Sequence, residues 1–497
     1  MNDKVTIRRL ATGVPGLDAI LGGGLPEFSF NLIAGPPGSG KTTLAHQIMF
    51  SLATHEQPAL FLTVLGEPPM KMLRYQQQFA FFDASMVGKA IRFVDLSDEV
   101  ATDDFEQVLA RIAEELAATS PALVFVDSFR SVMLEVGRHD HGALSLQQFI
   151  QQLGVLLSSW QATTFLVGEY FSEDDAHPVF TVADGLLSLQ QSVYRNSIVR
   201  KMQVLKMRGQ ATRPGVHTFR ITGNGVEVFP AVMIRDDTSE THFSESPVRS
   251  RVRLTMGVPG LDEMLGGGLP TGFSILVAGP SGSGKTIIAT AFLSEGVRLG
   301  QPGVIVAFEQ TPSQSWTRTI DDMVRAGTIG LINTRSLDLS TDEIVQHLVT
   351  MIHSMKATRV VIDSLSGFEL AVAPAFREDF RESLFRMVAA LSDLGVTVLM
   401  TSELEDRFTD LRFSPYGSAF LTDAIIVQRY IEVESRLQRV LAVVKVRDSA
   451  HSSDIRQYEI TENGIQIGAT VNAYEGLLGG RPTKVPKVEV ARPEDAP

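Results

Sequence analysis

Four short apolar runs stand out along the chain, at residues 30–34, 122–126, 274–278 and 360–362. Each is too short for a buried helix and apolar at nearly every position, which predicts strands covered on both faces, as in a parallel sheet. Helical patterns follow two of them, TTLAHQIMFSLAT at 42–54 and TIIATAFLSEGVRLG at 286–300. Strands alternating with helices through each half predict doubly wound, mainly parallel sheets, with any ligand at the carboxyl ends of the strands. Near the end of each half the pattern changes. Residues 199–207, 217–222 and 226–229, and later 439–446, 457–461 and 465–467, read as short strands with hairpin signals at Gly223-Asn224-Gly225 and Glu462-Asn463-Gly464. The expected fold class is therefore α/β: two tandem domains, each a doubly wound sheet with a small C-terminal β-hairpin region.

The halves are also copies in sequence. ATGVPGLDAILGGGLPEFSFNLIAGPPGSGKTT returns as LTMGVPGLDEMLGGGLPTGFSILVAGPSGSGKTI, 244 residues later. Each copy ends in G-x-x-x-x-G-K-[ST], opened by Gly35 and by Gly279. A triphosphate needs many donors at short range, and glycines let successive backbone N–H groups turn inward upon it. The expected phosphate-binding residues are Gly38, Ser39, Gly40, Lys41, Thr42 and Thr43, then Gly282, Ser283, Gly284, Lys285, Thr286 and Ile287. Lys41 and Lys285 would reach the β- and γ-phosphates, and the hydroxyls of Thr42 and Thr286 would ligate Mg²⁺. The helix that follows aims its positive end at the same anion. One such loop could be a Gly-rich turn that binds nothing; two, at a fixed offset and each between strand and helix, leave little room for that alternative.

The runs at 122–126 and 360–362 end in Asp127 and Asp363, 86 and 78 residues after the loop lysines. An apolar strand ending in Asp is a weak signal alone. After a phosphate loop, and at similar distance in both halves, it marks a carboxylate that holds Mg²⁺ through water. ATP and Mg²⁺ are the expected cofactors.

Composition narrows the picture further. A chain of 497 residues suffices for two or three domains with sizeable cores. The net charge of −13 argues against nucleic acid or an anionic membrane as a broad partner. The absence of cysteine excludes disulfides, thiol catalysis and Cys-type zinc sites. The ten histidines show no metal-ligand spacing. With no signal peptide and no apolar run of bilayer length, a cytoplasmic protein is expected.

TGVPGLDAILGGGLP before GPPGSGKTT, duplicated in one chain, resembles the KaiC family of RecA-like ATPases, over roughly residues 5 to 470. The resemblance implies a double-ring homohexamer with ATP bound between adjacent subunits. It also implies that a Lys-x-Arg strand segment reaches the neighbouring subunit's nucleotide, matched here by Lys206-Met207-Arg208 and Lys445-Val446-Arg447, with Ser449 and His451 continuing the second. Gln210 and Thr212 hold those last two places in the first domain. Such cations would stabilise charge on the transferring phosphoryl group; taken without the family, they read as solvated charges on an edge strand.

The family carries two adjacent glutamates at the end of the second core strand, one of which orients or deprotonates the attacking water. Here the second domain reads Phe308-Glu309-Gln310, so Glu309 is present and Gln310 replaces its neighbour. Glutamine positions water but takes no proton. In the first domain Leu65 falls at the matching place and Glu67, two positions on, is the candidate substitute on the same face of a strand. The clock protein of this family phosphorylates a Ser-Thr pair just before I-T-D. Leu421-Thr422-Asp423 fixes that register, and the pair's positions hold Ala419 and Phe420, which have no hydroxyl. Ser418 and Ser414 are the remaining candidate phosphosites for a simpler autokinase.

The expected organisation is a first ATPase domain at 1–232, a polar linker at 233–250, a second domain at 251–475 and a flexible tail at 476–497. That tail occupies the place of the family's partner-binding peptide. A slow hexameric regulatory ATPase is the leading reading; a Ser/Thr autokinase and a DNA-dependent recombinase-type motor are alternatives, the last disfavoured by the acidic composition.

Overall fold

The computed structural model describes residues 7–63, 69–101, 105–129, 143–170, 178–194, 197–231, 252–308, 318–333, 340–372, 380–404, 421–472, 474–479 and 483–484. Contacts divide the chain into two compact units, Met1–Ala231 and Val232–Pro497.

The first unit contains β1 (Phe30–Ala34), α1 (Lys41–Leu52), β2 (Ala59–Thr63), β3 (Ile91–Asp95), α2 (Phe105–Thr119), β4 (Leu123–Asp127), α3 (Ala143–Ser159) and β5 (Thr163–Gly168). It closes with β6 (Gly185–Tyr194), β7 (Ser197–Met207), β8 (Val216–Thr222) and β9 (Gly225–Phe229). These strands form one nine-stranded sheet in the order β9-β8-β7-β6-β1-β5-β4-β2-β3. From β6 to β3 neighbours are parallel; β6 to β9 are antiparallel. The C-terminal hairpins thus extend the main sheet.

The second unit repeats this plan with β10 (Ser274–Gly279), α4 (Lys285–Arg298), β11 (Gly303–Ala307), β12 (Ile329–Asn333), α5 (Thr341–Met355), β13 (Arg359–Asp363), α6 (Phe380–Asp393) and β14 (Thr397–Glu403). The antiparallel half is β15 (Ala424–Val433), β16 (Arg436–Val446), β17 (Ile455–Thr461) and β18 (Gly464–Thr470). The order β12-β11-β13-β14-β10-β15-β16-β17-β18 is that of the first sheet read from the other edge.

The continuous apolar runs are explained by two cores, one on each face of each sheet. Leu60, Leu62, Val124 and Val126 pack with α2 and α3 on one face. Phe61, Phe125, Phe165 and Val167 pack with α1 on the other. Adjacent residues of a strand point to opposite faces, so a doubly covered strand favours apolar side chains at nearly every position.

The repeated GVPGLD segment has a local structural purpose. Asp18 accepts hydrogen bonds from Thr12 N at 2.9 Å and Thr12 Oγ1 at 2.7 Å, and Asp262 accepts from Met256 N at 2.6 Å. The leucines around them, Leu17, Leu21 and Leu25, and Leu261, Leu265 and Leu269, are fully buried. Beyond residue 475, Leu477 packs on Ile431, Val433 and Val440, and Thr483–Lys484 pairs with Tyr474–Glu475. The first residues of the expected tail are therefore docked on the second unit. Among the described residues no helix is long and apolar enough to cross a membrane.

Candidate functional site

Each phosphate loop leaves the carboxyl end of a central strand, β1 or β10, and enters a helix, α1 or α4. Gly40 and Gly284 cap those helices at φ 98° and 100°, in the left-handed region that glycine enters without steric cost. A Cβ on Gly40 would stand 2.5 Å from Ile221 Cδ1. Thr43 and Ile287 lie in the first helical turns, the end of a helix that favours an anion, and the Ile287 N–H donates to Gly284 O at 3.0 Å.

Lys41 Nζ donates to Pro36 O at 2.9 Å, and Lys285 Nζ to Gly279 O and Pro280 O at 2.8 Å each. Both ammonium groups rest on carbonyls of their own loops. Burial lowers their pKa values, opposed by Glu169 and Asp127 at Lys41 and by Glu403 and Asp363 at Lys285.

The hydroxyl of Thr42 donates to Asp127 Oδ2 at 2.7 Å, and that of Thr286 to Asp363 Oδ2 at 3.0 Å. Residues 85 and 77 positions apart in sequence thus meet in both units. The two carboxylates differ in surroundings. Thr401 on β14 also donates its hydroxyl to Asp363 Oδ1. In the first unit the register neighbour of Asp127 on β5 is Val167. Burial pushes the Asp127 carboxyl up to about 6, against the Thr42 hydrogen bond and the Lys41 charge.

In the second unit Lys285, Thr286, Asp363, Glu403 and Ile460 are among the residues lining an open cleft of about 280 Å³. The lining suits a magnesium-bound triphosphate: an ammonium, and a hydroxyl beside a carboxylate. Among the described residues no group of three or more His, Cys, Asp or Glu is placed to hold a metal alone. A cation here would need phosphate oxygens and water as its remaining ligands, which is the habit of Mg²⁺.

Glu169 and Glu403 were not among the residues expected from sequence. Glu403 is level with Gly279 across β10 and β14, and Glu169 follows Gly168, which is level with Ala34. The available signal was the matched strand endings, TTFLVGE and TVLMTSE. A second unpredicted feature is His46, fully buried in α1 and stacked on Phe61 at 4.7 Å, with Nδ1 2.9 Å from Thr42 O. Burial lowers its pKa to about 4, so the ring is neutral and donates from Nδ1. Thr290 makes the matching contact to Thr286 O at 2.8 Å.

The Lys-x-Arg segments lie at the ends of β7 and β16. Lys206 Nζ donates to Phe180 O and Thr181 O, each at 3.2 Å, and Lys445 Nζ to Thr422 O at 2.7 Å. Arg208 meets Asp184 at 3.1 Å and Arg447 meets Asp423 at 3.4 Å, with the arginine side chains 60% and 43% exposed. Met207 is half-buried and Val446 buried, facing the core. Ser449 Oγ accepts from Arg253 Nη2 at 2.8 Å; His451 is half-buried. Arg253 also donates to Leu265 O and Gly268 O at 2.9 and 3.2 Å. The equivalent carbonyls of the first unit, Leu21 O and Gly24 O, are instead bonded by Gln210 Nε2 at 2.5 and 2.8 Å. Gln210 and the Arg253–Ser449 pair therefore close the same GGG turn by different chemistry. Glu67, Glu309, Gln310, Ser414 and Ser418 lie outside the described residues.

Comparison with known proteins matches both halves of the chain. A family model described as "ATPase: KaiC" matches residues 10–233 and again 254–472. The circadian clock oscillator protein KaiC of Picosynechococcus sp. is 27% identical over 493 residues, covering 96% of this chain and 93% of its own. KaiC of Thermostichus vulcanus is 27% identical over 507 residues, covering 98% and 94%. KaiC 1 of Synechocystis sp. is 27% identical over 497 residues, covering 96% and 92%. With both α/β units matched, this chain belongs to the KaiC family of ATPases.

Proposed function

We propose that the chain binds Mg²⁺-ATP at both phosphate loops and hydrolyses it as a homohexamer of two stacked rings, each nucleotide lying at a seam between subunits. The observation that carries this reading is the pairing of Thr42 with Asp127 and of Thr286 with Asp363, each beside a loop lysine. Mg²⁺ would screen the phosphate charge. Thr42, Thr286, Asp127 and Asp363 hold its ligand positions, and Lys41 and Lys285 leave their loop carbonyls for the phosphates. Exposed arginine–aspartate pairs contribute only about 0–1 kcal/mol. Arg208 can therefore exchange Asp184 for a neighbour's nucleotide at small cost, whereas Arg447 would leave Asp423, whose side chain is 10% exposed, to its hydrogen bonds from Ser274 N and Oγ. Lys206, Lys445, Ser449 and His451 belong to the same segments.

Glu309 is assigned to orienting the attacking water in the second domain and Glu67 in the first. Gln310 supplies a donor and an acceptor but no base, so turnover is slow. The relatives are named circadian clock oscillator proteins; for this chain we infer a regulatory role, in which nucleotide state sets ring conformation and a partner reads it through the residues after 476. Ala419 and Phe420 exclude phosphoryl transfer to the usual pair. The test is a chain carrying Lys41→Ala with Lys285→Ala. Loss of ATP hydrolysis is expected; wild-type turnover would overturn the assignment of the loops.

A further inference from the structure

The two phosphate loops match in sequence but are anchored differently from beneath. In the second unit the Tyr458 hydroxyl, from β17, donates to Ser283 O at 2.6 Å. Gln428, from β15, donates from Nε2 to the same oxygen at 3.1 Å and accepts from Ser283 Oγ at 3.2 Å. All three side chains are buried.

Strand register identifies the counterparts. Ala34 pairs with Ser188 as Ala278 pairs with Val427, so Leu189 stands where Gln428 does. Thr222 pairs with Gly225 as Thr461 pairs with Gly464, so Phe219 stands where Tyr458 does. Leu189 and Phe219 are buried and have no hydrogen-bonding side-chain group. Among the described residues the buried Ser39 Oγ has no hydrogen-bond partner.

The consequence follows from peptide geometry. The carbonyl of Ser283 and the N–H of Gly284 belong to one planar trans unit and point in opposite directions. Holding the carbonyl down toward the sheet holds the N–H up toward the cradle. A loop whose carbonyl is not held must be ordered when its ligand arrives, which weakens binding.

We propose that Tyr458 and Gln428 are positioning residues that pin the Ser283–Gly284 peptide, so that the second phosphate loop is preset while the first is ordered by the nucleotide itself. The inference rests on reading both loops as phosphate cradles. Tyr458→Phe removes one hydroxyl and keeps the ring, so the fold survives. In a full-length chain carrying Lys41→Ala, Tyr458→Phe should speed release of a fluorescent Mg²⁺-ADP analogue about three- to tenfold, the worth of one buried hydrogen bond. In a Lys285→Ala chain, Phe219→Tyr should slow release by a similar factor. An unchanged release rate in Tyr458→Phe would overturn the proposal, since a merely structural tyrosine would shift only the melting temperature.

Hydrogen exchange without nucleotide gives an independent answer. Amides of residues 281–286 should exchange more slowly than those of 38–42, and Tyr458→Phe with Gln428→Leu should remove the difference. Equal exchange in the wild-type chain would overturn the clamp. Failure of the Lys41→Ala chain to bind any nucleotide would count against the proposed function, while the exchange comparison still decides the clamp.

Discussion

Thr401 donates its hydroxyl to the Asp363 carboxylate, which also accepts from Thr286. Beside Asp127, the register position is occupied by Val167. The second carboxylate is thus oriented from two sides and the first from one. Groups that orient a metal-holding carboxylate set much of its affinity. Thr401→Val should weaken Mg²⁺-dependent nucleotide binding at the second site about tenfold, and Val167→Thr should strengthen it at the first. Magnesium titrations of nucleotide binding, in chains with the other loop lysine replaced by alanine, read both.

Acid stability of the nucleotide-free first domain should reflect two opposing groups. His46 has its folded pKa lowered to about 4 from 6.5, so its neutral, buried form loses stability as pH falls from 6.5 through 4. Asp127 has its folded pKa raised to about 6 from 3.8, so its penalty is full above pH 6 and is relieved as pH falls toward 3.8. Asp127→Asn should stabilise the first domain at pH 7 by at most about 3 kcal/mol, with the gain gone near pH 4. Urea unfolding at a series of pH values checks this; a gain that grows toward acid would contradict it.

How much of this was legible in the chain depends on range. The loops, their strands and helices, and Asp127 and Asp363 all announce themselves in contiguous sequence. The carboxylates Glu169 and Glu403 do not, because a glutamate ending a strand is ordinary until the register puts it beside the loop. The Tyr458–Ser283 bond spans 175 residues and joins elements whose adjacency only the sheet order reveals. Ser449 and Gln210 sit in the expected segments, yet within the chain Gln210 bonds Leu21 O and Gly24 O, and Ser449 accepts from Arg253, which bonds the equivalent carbonyls of the second unit; neither partner is adjacent in sequence.

Glu403 places a negative charge in the cleft that must accept a polyphosphate. Glu403→Gln should raise affinity for magnesium-free ATP at the second site about three- to tenfold and flatten its dependence on Mg²⁺. Equilibrium binding with and without chelator measures this; unchanged affinities would mean the carboxylate does not face the phosphates.

Gly40→Ala should damage the first loop more than Gly284→Ala damages the second. Both require φ near 100°, but the new Cβ would meet Ile221 Cδ1 at 2.5 Å in the first and Ile460 Cδ1 at 3.1 Å in the second. The left-handed conformation alone costs about 1–2 kcal/mol. Melting curves should show partial recovery of Gly40→Ala on adding Ile221→Val, and no such recovery for Gly284→Ala with the same change.

The most direct measurement is nucleotide stoichiometry together with assembly mass in saturating Mg²⁺-ATP. Two nucleotides per chain in a hexamer are expected, falling to one in Lys41→Ala or Lys285→Ala and to none in the double variant. A monomer with neither loop occupied would contradict the reading of these loops as paired nucleotide sites at subunit seams.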